Sequence, residues 1–96
     1  MPKVYLVEDE YDLANLVVKY LLKDGYDVER FCSGEEALSH IKDKVDLWIL
    51  DIMLPGSVNG YDLIKEIKEN RIITNFTKLS KFPNKFFTFV KKMSNE

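Results

Sequence analysis

The sequence predicts an α/β domain built on a parallel sheet, and three observations carry that expectation. Short apolar runs alternate with amphipathic stretches of about ten residues through positions 1–70, in the order strand, helix, strand, helix, strand, helix. The run at 47–50 is apolar without interruption, as a central parallel strand covered on both faces would be. Acids follow the two most strand-like runs, at 8–10 and at 51. Right-handed crossovers bring the C-terminal ends of parallel strands to one edge, the edge where such sheets place their ligands.

The first run, KVYLV at 3–7, is rich in valine and aromatics and stops at Glu8, Asp9 and Glu10, as a buried strand stops on reaching solvent. From Asp12, the residues Leu13, Leu16, Val17, Tyr20 and Leu21 recur at three- and four-residue spacing, which predicts an amphipathic helix ending near Asp24 with Gly25 beyond it. YDVERFC at 26–32 alternates apolar and polar residues and suits a half-buried strand nearer the sheet edge. Ser33 followed by Glu36 is a capping-box pattern, opening a second helix that turns Ala37, Leu38 and Ile41 inward. The third strand is LWIL, ending at Asp51. Pro55 and Gly56 then turn the chain away to leave Asp51 reachable, and Tyr61, Ile64 and Ile67 mark a third helix reaching about Glu69.

The chain divides near Asn70. Residues 1–70 hold 8 Lys and Arg against 15 Asp and Glu, a net of −7, whereas residues 71–96 hold 6 against 1, a net of +5. This second segment is a basic tail that contains five of the six phenylalanines and has no clear period. Segments 72–79 and 85–92 are candidate strands within it. Cys32 is the single cysteine, which rules out a disulfide framework within the chain and fits a reducing, cytoplasmic setting. No run approaches the roughly 20 apolar residues that cross a bilayer, and MPKVYLVEDE lacks the regions of a signal peptide, so no membrane partner is expected.

If the first and third strands are neighbours, they lie about 5 Å apart and Glu8, Asp9 and Asp51 converge. Clustered carboxylates repel unless a cation sits among them. Magnesium takes oxygen ligands, preferring one or two carboxylates plus waters and phosphate oxygens, so Mg2+ is the implied cofactor. With the charge neutralised, one carboxylate can attack a phosphoryl group to form an acyl phosphate. Asp51, at the end of the most buried strand, is the candidate nucleophile; Glu8 and Asp9 suit metal ligation, and the backbone carbonyl of Met53 is a fourth candidate ligand. Glu10 and Asp12 are read as acids at the positive end of the first helix, His40 as an exposed surface residue and Cys32 as a small buried hydrophobe.

VYLVEDE (4–10), KDGYDV (23–28), SGEEAL (33–38), DLWILDIMLPG (46–56) and NGYDLIKEIK (59–68) together resemble the receiver domain of bacterial two-component response regulators. The resemblance covers about the first 70 residues and implies a flavodoxin-like fold, incomplete in its C-terminal half because the sequence is truncated or altered after the third helix. It implies that Asp51 takes a phosphoryl group from a histidine kinase, with Mg2+ held by Asp9, Asp51, the Met53 carbonyl and, directly or through water, Glu8. The domain would be a phosphoacceptor that assists its own phosphoryl transfer rather than an enzyme, and phosphorylation would shift an equilibrium of its far face. Receivers also carry a switch hydroxyl and a lysine on their fourth and fifth strands. By distance from Asp51 the hydroxyl falls at Ser80, and 89–96 faintly resembles the lysine strand, which would make the residue Lys91.

Two further expectations follow. A three-strand sheet with one edge uncovered needs the tail to pair as a strand, or a homodimer or strand exchange to cover it. A receiver-shaped protein-binding module without phosphorylation-dependent switching is the alternative function, because the hydroxyl and lysine are misplaced or missing. A hydrolase with an aspartate nucleophile ranks last, since Met53 stands where a second acid belongs. No output DNA-binding domain is expected within these residues, and the lysines among the tail's phenylalanines support only non-specific attraction to nucleic acid.

Overall fold

The computed structural model describes residues 1–70 in full, and 73–78 and 86–91 as backbone strands. The elements are β1 (Lys3–Val7), α1 (Tyr11–Lys23), β2 (Asp27–Phe31), α2 (Gly34–Leu38), β3 (Leu47–Asp51), α3 (Gly60–Asn70), β4 (Ile73–Lys78) and β5 (Phe86–Lys91). They form one five-stranded sheet in the order β2-β1-β3-β5-β4. β1 pairs in parallel with β2 and β3, in registers that set Val7 beside Phe31 and Leu50.

The tail closes the free edge of β3. β5 runs antiparallel to β3, with Asp51 opposite Phe86 and Leu47 opposite Val90, and β4 runs antiparallel to β5. The sheet is therefore parallel over its first three strands, as the sequence predicts, and mixed where the tail adds β5 and β4. The physical reason lies in connection length. Joining two parallel neighbours takes a crossover of about a dozen residues or more, whereas only the seven positions 79–85 separate β4 from β5. Of the two ways to cover β3, pairing by the chain's own tail is the one this structure adopts.

Side chains alternate across the sheet with the two-residue period of a strand. Tyr5, Val7, Trp48 and Leu50 face one side and pack with Phe31, Ala37, Ile41, Leu63, Ile64 and Ile67 under α2 and α3. Val4, Leu6 and Ile49 face the other and pack with Ala14 and Val17 of α1. Tyr5 forms the centre of the first layer, edge-on to both Phe31 and Trp48 at 4.9 and 5.0 Å between ring centroids.

Several local expectations are refined. α1 ends as its sequence suggests: Asp24 caps it, Gly25 takes a φ of 91°, and Gly25 N–H and Tyr26 N–H donate back to Leu22 and Leu21. Leu16 and Tyr20 lie on the exposed flank of α1, because a helix resting on one sheet face buries only the middle of its apolar stripe. In α3 the buried positions are Gly60, Leu63, Ile64 and Ile67, while Tyr61 faces solvent. α2 is only five residues long, so Ile41 is buried from the turn that follows it and Leu38 stays partly exposed.

His40 and Cys32 both differ from expectation. His40 is half-buried: its ring lies 4.8 Å from Phe31, and Nδ1 meets Asp43 Oδ2 at 2.8 Å. Tyr5 donates its hydroxyl to the same Asp43 oxygen at 2.5 Å, tying the turn after α2 to β1. That bond, followed by the His40 contact, lowers the Asp43 pKa. Cys32 is exposed, because β2 ends at Phe31 and the chain has already left the sheet.

Candidate functional site

Glu8 is the first residue beyond β1 and Asp51 the last of β3; since Val7 pairs with Leu50, the two acids stand side by side at the C-terminal edge. One carboxylate oxygen from each of Glu8, Asp9 and Asp51 lies within 4.8 Å of the others. Glu8 and Asp51 are fully buried and Asp9 is exposed. The site therefore opens at Asp9, whereas Asp51 itself is covered; the turn at Pro55 and Gly56 does not leave it exposed.

Burying two carboxylates is costly unless hydrogen bonds and opposite charge compensate. Main-chain donors supply part of that compensation. Glu10 N–H donates to Glu8 Oε2 at 2.8 Å, and Met53 N–H donates to Asp51 Oδ1 at 2.9 Å. The second bond fixes the rotation of the Asp51 carboxylate. Met53 is thus placed in the loop directly after Asp51, with its side chain exposed.

The loop from β3 to α3 is shaped by two glycines and a glutamate. A Cβ at Gly60 would lie inside contact distance of the Asp51 carbonyl oxygen and 2.5 Å from Ile52 Cα, so only glycine lets α3 begin against the end of β3. Gly60 N–H donates to Ile52 O at 3.1 Å across that contact. Asn59 and Asp62 cap the helix reciprocally, each accepting the other's N–H, at 2.9 and 3.0 Å. Glu35 of α2 accepts from Ser57 N–H at 2.8 Å and from Ser57 Oγ at 2.9 Å. Those bonds, led by the Ser57 N–H, lower the Glu35 pKa. Gly56 has a φ of 89°, and a Cβ there would lie 2.6 Å from the same carboxylate.

Arg30 is a residue of this site that the sequence does not disclose. Its guanidinium donates to the Glu8 carbonyl oxygen through Nε at 3.1 Å and Nη2 at 2.9 Å, and Nη2 lies 3.4 Å from Asp9 O. In YDVERFC it reads as the polar half of an alternation. Only the β1–β2 register, which sets Arg30 beside Leu6, brings it within reach of the acidic loop.

Of the two switch candidates, only Lys91 falls among the described residues, and Ser80 lies outside them. Lys91 pairs with Ile73 and follows Val90, the partner of Leu47, so its backbone sits at the opposite end of β3 from Asp51. Antiparallel β5 reverses the direction that a parallel strand would have given it. Lys78, where β4 ends, pairs with Phe87 and so lies toward the Asp51 edge, two strands away.

The family profile described as "Response regulator receiver domain" matches residues 4–88. A curated relative, the transcriptional regulatory protein CssR of Bacillus subtilis, is 51% identical over 65 residues, covering 68% of this chain and 28% of that protein. The response regulator SaeR of Staphylococcus aureus is 38% identical over 80 residues, covering 83% of this chain and 35% of SaeR. The match thus spans about a third of the length of these relatives. Among solved structures, the signal receiver domain of a modulated diguanylate cyclase from Desulfovibrio desulfuricans superposes with a TM-score of 0.67 at 34% identity, covering 72% of this chain and 57% of that one. The signal receiver domain of a Vibrio parahaemolyticus LuxO repressor protein gives 0.65 at 37%, covering 72% and 53%.

Proposed function

The chain belongs to the response regulator receiver domain family, and from that premise we propose that Asp51 is the phosphoacceptor of a two-component phosphorelay, taking its phosphoryl group from a phosphohistidine of a histidine kinase. The observation that carries this reading is the convergence of Glu8, Asp9 and Asp51 within 4.8 Å at one sheet edge.

The donor set fits Mg2+. All three groups offer hard oxygens, and bonds of about 2.1 Å give a coordination sphere roughly 4 Å across. With the three oxygens within 4.8 Å of one another, Asp9 and Asp51 would hold the ion, with Glu8 directly or through water, and the Met53 carbonyl is the further ligand in this reading. Mg2+ bound there would supply positive charge between the attacking carboxylate and the phosphoryl oxygens.

The chain's own residues do the rest. Asp51 attacks phosphorus with a carboxylate oxygen; the phosphorus–nitrogen bond of the donor breaks, and the imidazole leaves with the electron pair and takes up a proton. Met53 N–H holds Asp51 in one rotation, so little orientational freedom is lost at the reacting centre. β3, buried along Trp48, Ile49 and Leu50, holds the acid rigidly. In this reading residues 1–70 form the accepting unit and 71–96 a basic, Phe-rich segment that contributes β4 and β5. The chain is a signalling module that assists its own phosphorylation.

Incubation with a small acyl phosphate or phosphoramidate tests the proposal. Intact mass should rise by one phosphoryl group in the presence of Mg2+, and the gain should vanish with a chelator and in Asp51→Asn. An unmodified wild-type chain would remove the phosphoacceptor role. A second reading, a receiver-shaped binding module without switching, is favoured by the placement of Lys91 away from Asp51. Mg2+ binding without adduct formation would select it.

A further inference from the structure

The β1–α1 loop carries two of the three acids, and Glu8 Oε2 closes it locally by accepting from Glu10 N–H at 2.8 Å. Its main chain is also tied to β2. Phe31 O accepts from Glu8 N–H at 3.1 Å, and Arg30 donates through Nε and Nη2 to the Glu8 carbonyl, with Asp9 O at 3.4 Å from Nη2. Both polar groups of the Glu8 main chain are thus bound by consecutive residues of one neighbouring strand. The guanidinium carbon lies 5.8 Å from the ring centroid of Tyr11, the first residue of α1, so the same side chain also touches the element that follows the loop.

We propose that Arg30 is a positioning residue for cation binding: its planar fork fixes the Glu8–Asp9 main chain, and thereby the two carboxylates, opposite Asp51. This rests on the Mg2+ reading of the acidic site. The argument is one of geometry rather than charge. Arg30 brings a positive charge close to the acids, and by charge alone it would oppose a second cation. A positional role requires instead that two donors on one rigid plane reach the Glu8 carbonyl while Tyr11 covers the guanidinium. A lysine, with its compact ammonium on a flexible stem, does not reproduce that arrangement.

The two roles predict opposite results in two variants, Arg30→Lys and Arg30→Met. If Arg30 positions the loop, both variants weaken Mg2+ binding by about 10-fold, the lower end of what is lost when groups supporting metal ligands are removed. Amide exchange at Glu8, Asp9 and Glu10 speeds up in both, and adduct formation needs more Mg2+ for half-saturation while its rate at saturating Mg2+ is retained. If charge alone matters, Arg30→Lys matches wild type and Arg30→Met binds Mg2+ more tightly; either observation overturns the proposal. The measurements are calorimetric titration of the full chain with Mg2+ and hydrogen exchange without it. Unchanged loop exchange in a folded Arg30→Lys overturns the proposal even if Arg30→Met fails to fold. A wild-type chain that takes up no Mg2+ overturns the metal reading and this inference together, whereas binding by wild type with unaltered variants removes only the role of Arg30.

Discussion

The acids of the site are legible in the sequence because each stands where an apolar run breaks, and a buried strand leaves few other places for such a break. Glu8 after KVYLV and Asp51 after LWIL need only the inference that the two strands are neighbours, which the β1–β3 register bears out. The residues that shape the site around them are less legible, since each acts through a contact made only in three dimensions. Gly60 is the sharpest case. In NGYDL it reads as a loop glycine, but its missing Cβ is what allows α3 to start against the main chain of Asp51 and Ile52. Gly60→Ala forces backbone apart where neither side is a flexible side-chain end. The expected cost is about 1 to 3 kcal/mol, the usual range for inserting a methyl group into a packed site. A urea titration should show a lower midpoint with an unchanged slope, and the Met53 amide should lose protection as its bond to Asp51 is disturbed. A midpoint equal to that of wild type would mean that α3 can shift without loss.

At the scale of elements, the capping pattern Ser33 with Glu36 locates α2, and the structure keeps it with one change. Ser33 Oγ accepts from Glu36 N–H at 3.1 Å, but Glu36 reaches back to Cys32 N–H rather than to the cap residue. The neighbouring Glu35 is free to do something else, and it clasps the β3–α3 loop through Ser57. That connection was not legible, because the two residues are 22 positions apart and only the packing of α2 beside the loop joins them. It carries a pH dependence whose sign can be derived. The Glu35 pKa is lowered from its ordinary 4.5 in the folded chain, chiefly by the Ser57 N–H. The carboxylate therefore holds the loop fully above that value, and the hold is lost as pH falls through the lowered one. Glu35→Gln should bring the acid-side behaviour to neutral pH: exchange at Ser57 rises at pH 7 relative to wild type, and the difference between the two chains shrinks as pH is lowered past 4.5. Exchange at Ser57 that is the same in both chains at pH 7 would show that the clasp does not restrain the loop.

For the molecule as a whole, composition marks the change at residue 70 but says nothing about which strand goes where. Residues 72–79 and 85–92 have β-branched and aromatic content enough for strands, yet strand order is decided by which edge is open and how long the connection is. β3 offers the open edge, and the short 79–85 connection makes an antiparallel pair, so β5 enters the interior of the sheet and β4 becomes the new edge. This arrangement assigns different tolerances to two threonines that the sequence cannot distinguish. Thr88 of β5 stands between Ile49 and Thr77, with a neighbouring strand on each side, whereas Thr77 of β4 has Thr88 on one side and, among the described residues, no strand on the other. Proline removes a ladder donor and is accommodated at edges rather than in interior strands. Thr88→Pro should therefore unseat the hairpin and uncover β3, giving a lower urea midpoint and concentration-dependent association in sedimentation velocity as copies of the chain pair along the exposed edge. Thr77→Pro should lose less stability and sediment as wild type does. Equal losses in the two variants, or a Thr88→Pro chain that stays monomeric with an unchanged midpoint, would show that β5 does not protect the edge of β3. In that case a second copy would be the remaining way to cover it.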